Sequence, residues 1–134
     1  MITIETKYLG ELRTHAVHVR SGNTLITDAP IDNKGRGEAF SPTDLLAASL
    51  GSCAMTIIGI AARNHGFNVD GTGMRITKII AENPRRVAEV VVEFDFSENN
   101  FSKKEKAIIE NAAKTCPVAK SLHPDLKQTM LFNF

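Results

Sequence analysis

SPTDLLAASLGSCAMTIIGIAARNHG, residues 41–66, holds both ends of one long helix and a cysteine in its middle. Ser41 suits an N-cap, Pro42 the first helical position, and Asp44 the place of a capping-box acid. Gly66 follows Arg63-Asn64-His65 and can take the left-handed position that closes a helix. The spacing predicts a helix over 42–65, about six to seven turns long. From Leu45 to Ala62 it carries no charge. A surface helix of a small domain normally shows one apolar stripe, whereas this one is uncharged all round. As a membrane span it reaches only the lower end of the required length, about 17–25 residues. It is also broken by Ser49, Gly51, Ser52, Thr56 and Gly59. A buried central helix is the better reading. One small domain has little with which to cover both its sides, so a homodimer with this helix near the interface is expected.

On either side of the helix the pattern is strand-like. Ile2, Ile4 and Thr6 alternate with polar neighbours up to Gly10, and residues 13–20 (RTHAVHVR) are rich in β-formers. Ser21-Gly22-Asn23 marks a hairpin turn before 24–27, and 29–39 reads as a loop. After the helix, strands are expected over 69–82 and 86–97, joined by a turn at Asn83-Pro84, with Val90, Val92, Phe94 and Phe96 on one face. Ser102 and Glu105 form a capping box that opens a second helix to about Thr115. A third, short helix opens at Pro117 and ends near His123-Pro124. The tail, 127–134, reads as a last strand with Met130, Phe132 and Phe134 on one side. Strands at both ends and in the middle, without a βαβαβ rhythm, make the class α+β, one domain over 1–134.

Bulk properties narrow the function. The 134 residues are 43% hydrophobic and 23% charged, enough to build a core and too few charges for disorder. A net charge of +1, no basic tract and no tryptophan argue against nucleic acid or an anionic membrane as partner. The first residues lack a basic-then-apolar leader, and two cysteines without export suit reduced thiols in a cytoplasm.

Cys53 and Cys116 are the only cysteines, 63 positions apart, so no local zinc or redox spacing explains them. Cys116 precedes Pro117, which pushes it out of the α region and makes it a natural N-cap. Its sulfur would meet free N–H groups and the positive end of a helix dipole, which lowers a thiol pKa. It can equally be a small buried hydrophobe at a helix junction. Cys53 alone reads as packing, and activating it would need an imported cation, for which Arg13, Arg20 and Arg36 are the candidates. His15 and His18 fall on opposite strand faces, which disfavours a two-His metal site, and no phosphate-loop, dinucleotide or serine-hydrolase motif occurs.

The helix stretch followed by TCPVAKSL resembles the OsmC/Ohr family of thiol peroxidases over nearly the whole chain. The pattern P-x-x-L-L-x-A-x-L-G-x-C together with C-P-V carries the likeness. The resemblance implies an intertwined α+β homodimer and a cofactor-free, metal-free peroxidase acting on organic hydroperoxides or hydrogen peroxide. It implies Cys53 as the peroxidatic thiol, Cys116 as the resolving thiol and Arg13 as the cation that activates the thiolate. An external dithiol would reduce the resulting disulfide. The family's hydroperoxide enzymes place a Glu ten positions before the first cysteine. Here that residue is Thr43, with Asp44 and Glu38 as substitutes to be tested. A dimeric binding or structural protein of the same fold is the alternative.

Overall fold

Turns and β-branched residues decide the N-terminal part. The computed structural model describes residues 1–134 and divides them into two units, Met1–Leu45 and Leu46–Phe134. In the first unit, β1 (Ile4–Gly10), β2 (Arg13–His18) and β3 (Thr24–Asp28) form an antiparallel sheet in the order β1-β2-β3. Glu11 and Leu12 turn the chain between β1 and β2 with positive φ (52° and 62°), an unusual conformation for a leucine. The expected turn at residues 21–23 closes the second hairpin, where the Gly22 N–H donates to the His18 carbonyl at 2.8 Å. The register that follows sets Arg13 opposite Asp28. The loop holds one 3₁₀ turn, Ile31–Asn33. All the buried residues of this unit are polar: Thr27, Asp28 and Ser41.

Helix α1 occupies Pro42–His65, the predicted bounds. Its start is capped reciprocally: the Asp44 N–H donates to Ser41 Oγ at 3.0 Å and Asp44 Oδ2 accepts the Ser41 N–H at 2.9 Å. Within the chain α1 buries one face, Ala47, Leu50, Gly51, Ala54, Ile58 and Ala62, at the i, i+3/i+4 spacing of a helix packed on one side. By length and composition it could cross a membrane; here that face belongs to a protein core.

The core is the inner face of a second sheet, β4 (Gly73–Ala81), β5 (Arg86–Asp95) and β6 (Lys127–Asn133), in the order β4-β5-β6. Alternation along β5 turns Val90, Val92 and Phe94 inward. Pairing then builds rows across the sheet, Ile76–Val92–Met130 and Met74–Phe94–Phe132. Six of the seven phenylalanines (67, 94, 96, 101, 132 and 134) gather here, with Phe94 and Phe132 stacked at 5.1 Å. At Gly51 a Cβ would sit 2.5 Å from Ile76 Cδ1, so glycine lets α1 approach the sheet. β6 runs parallel to β5, which requires a long crossover, supplied by α2 (Lys103–Ala113) and α3 (Pro117–Ser121).

Two boundaries differ from expectation. β4 starts at Gly73 instead of 69, because Thr72 bonds back to the Val69 carbonyl through both its N–H and its hydroxyl, and Gly71 adopts φ 82°. Helix α3 stops at Ser121, where Leu122 turns extended with ψ 153°.

Candidate active site

The C-terminal unit brings its two cysteines together. Cys53 projects half-buried from the middle of α1, and Cys116 is wholly buried at the N-cap of α3. Cys116 Sγ accepts the Ala119 N–H at 3.3 Å, the capping bond expected from Cys-Pro. Its thiol also interacts with that of Cys53. Burial pushes the Cys116 thiol up, and the Ala119 and Val118 N–H groups pull it part of the way back. The neighbouring Cys53 thiol adds to the rise. The expectation that the helix start would lower this thiol is therefore corrected. Two amide donors do not offset complete removal of the sulfur from water. Burial favours the protonated form of Cys116, and Cys53 is the more accessible of the two sulfurs. Such a pair can be oxidised to a disulfide.

The N-terminal unit holds Arg13, the cation that the resemblance implies. Arg13 opens β2, and Asp28, its partner in register, closes β3. Arg13 donates Nε to Asp28 Oδ1 at 2.7 Å and Nη2 to Oδ2 at 2.8 Å, a bidentate pair. The carboxylate side chain has no solvent exposure, while that of Arg13 keeps 19%. Arg13 Nη2 also reaches Glu38 Oε2 at 3.3 Å, on an exposed loop residue. The guanidinium holds the Asp28 carboxyl below its ordinary range, and the pair makes Arg13 still harder to deprotonate.

Of the other candidate cations, Arg36 is paired with exposed Glu11 at 2.6 Å and Arg20 is exposed in the β2–β3 turn. Of the two acids weighed beside Thr43, Asp44 is committed to the cap of α1 and Glu38 reaches Arg13. Thr43 lies 3.1 Å from the Ser41 hydroxyl. Asp28 was missed by sequence reasoning, although counting back from the hairpin turn would have set it opposite Arg13. Three of the four histidines serve local bonds: His18 Nδ1 to Ser21 Oγ at 2.6 Å, His65 Nδ1 to the Ala61 carbonyl at 2.9 Å, and His123 Nδ1 accepting the Asp125 N–H at 3.0 Å.

Comparison with known proteins gives the family and the fold. Residues 35–130 match the family described as OsmC-like protein. A Psychrobacter arcticus protein, provisionally described as an osmotic stress induced and detoxification response protein, is 51% identical. The alignment covers 99% of this chain and 96% of that one, with a TM-score of 0.95. An organic hydroperoxide resistance protein OsmC from Legionella pneumophila shares the fold at 17% identity, TM-score 0.77, over 100% and 98% of the two chains. An OsmC-like protein from Mycoplasma pneumoniae does so at 19% identity, TM-score 0.78, over 97% and 94%. No curated protein matches the chain.

Proposed function

The chain belongs to the OsmC-like protein family, and on that premise we propose that it is a two-cysteine peroxidase for organic hydroperoxides or hydrogen peroxide. The observation that carries the reading is that two free thiols, buried Cys116 and the more accessible Cys53, lie close enough to interact. The Cys53 thiolate attacks the outer oxygen of ROOH and the O–O bond breaks. RO⁻ takes a proton and leaves as the alcohol, or as water when R is hydrogen, and Cys53 becomes a sulfenic acid. The Cys116 sulfur then attacks Cys53, its proton leaves with the hydroxyl as water, and a disulfide forms. An external dithiol returns both thiols and is itself oxidised to a disulfide. Arg13 supplies the cation that stabilises the Cys53 thiolate and orients the peroxide. No metal or cofactor takes part.

The working form in this proposal is a cytoplasmic homodimer. No apolar side chain is buried among residues 1–45, and Ile2, Ile4, Tyr8, Leu9, Leu25 and Ile26 are exposed within the chain. A segment of this size without a core needs cover, and a second copy supplies it. With peroxide and a dithiol present, wild type should consume peroxide steadily and Cys53→Ser should not. Turnover persisting in Cys53→Ser would refute the reading.

One observation favours a second reading, a ligand-binding dimer without useful turnover. Ile57, Ile60, Ala61, Ile108 and Ala112 line an apolar groove of ≈ 420 Å³ between α1 and α2. A lipid-like molecule copurifying with the protein, with Cys53 inert to peroxide, would select it.

A further inference from the structure

We propose that Asp28 is the positioning residue for Arg13, and that Glu38 is the partner Arg13 exchanges for substrate. The inference rests on the peroxidase reading and goes beyond it by assigning a role to a carboxylate outside the sequence motifs. Both oxygens of Asp28 are used by one guanidinium, through its Nε and Nη2. The side chain is excluded from water, and the Asp28 N–H is fixed by the Phe40 carbonyl at 3.0 Å. Strand register and a strained turn hold the other end: Leu12, at φ 62°, donates its N–H to Tyr8 Oη at 3.2 Å and accepts the Ala29 N–H at 3.1 Å. Arg13 is therefore clamped from both sides.

Glu38 differs in every respect. Its bond is longer, it uses the Nη2 that Asp28 already holds, and its side chain is 66% exposed. Water and salt screen such a contact. A peroxide oxygen or a thiolate approaching Arg13 can replace Glu38 without disturbing the bidentate pair, and Nη1 takes part in none of these three bonds. In this chain a buried strand carboxylate thus does the orienting for which residue 43, a threonine, has no charge.

The test follows Cys53 oxidation by cumene hydroperoxide under single-turnover conditions, in the Cys116→Ser background so that one thiol reports. Asp28→Asn should lower the maximal rate by about 10–100-fold. Asp28→Glu, which keeps the charge but moves it, should recover part of that loss. Glu38→Gln should hold the maximal rate within about fivefold and act mainly on the half-saturating peroxide concentration. Circular dichroism and urea midpoints establish which variants are folded. A folded Asp28→Asn with the wild-type maximal rate overturns the inference, as does a wild-type rate in Asp28→Glu should the Asn variant not fold. A wild-type protein that peroxide does not oxidise refutes the peroxidase reading itself, and this inference with it.

Discussion

A carboxylate with no solvent exposure stays charged only if something compensates it, and for Asp28 that is Arg13. Its carboxyl is held below the usual range, so the folded state binds a proton there less readily than the unfolded chain does. The stability this contributes is fully present above the unfolded value, about 3.9, and is lost as pH falls through the lower, folded value. Urea unfolding between pH 2 and 7 should therefore show wild type above Asp28→Asn at neutral pH, the two converging in acid. A gap independent of pH would contradict the pairing. At Cys116 the capping bond predicts a second contrast: Cys116→Ser keeps an acceptor for the Ala119 N–H, whereas Cys116→Ala should lose about 1 kcal/mol in urea unfolding. The N-cap was legible from Cys-Pro alone. The burial that reverses its effect on the thiol was not, because burial comes from elements far away in sequence. Asp28 escaped notice for a related reason, since a strand-end acid looks like a surface residue until the hairpin register is counted through.

Helices were the most legible elements, because their ends are written in local chemistry. Ser41 with Asp44 and Ser102 with Glu105 both form the capping boxes their spacing predicts. Ser102→Ala should cost about 0.5–2 kcal/mol, read from the urea midpoint. Strand starts were less legible: from Asn68 to Gly71 the residues suit turn and strand alike, and the bond of Thr72 to Val69 decides. Packing of α1 on β4 and β5 gives a test with opposing terms. Gly51→Ala gains about 1 kcal/mol of helix propensity but places a methyl against Ile76 Cδ1 and, at 3.6 Å, Val92 Cγ1. Overpacking costs about 1–3 kcal/mol. Because Ile76 Cδ1 is the end of a flexible side chain, the net effect should be a destabilisation of about 1 kcal/mol. A clear gain in stability would mean that the helix does not approach the sheet this closely.

For the molecule as a whole, the order of strands and helices pointed to α+β architecture, and the uncharged run on α1 pointed to a partner. Within one chain α1 buries a single face, and Ile60, on another, remains 51% exposed. If a second copy covers that face, Ile60→Glu buries an unpaired charge and should weaken the dimer by about 3 kcal/mol or more, seen by sedimentation as monomer at micromolar concentration. An unchanged dimer would place the interface elsewhere. The central claim is that the two cysteines form one redox unit, and the most direct measurement is thiol titration with peptide mapping after one equivalent of cumene hydroperoxide. The account predicts loss of two thiols per peroxide and a Cys53–Cys116 disulfide-linked peptide. Both thiols remaining titratable, or only one lost with no linked peptide, would contradict it.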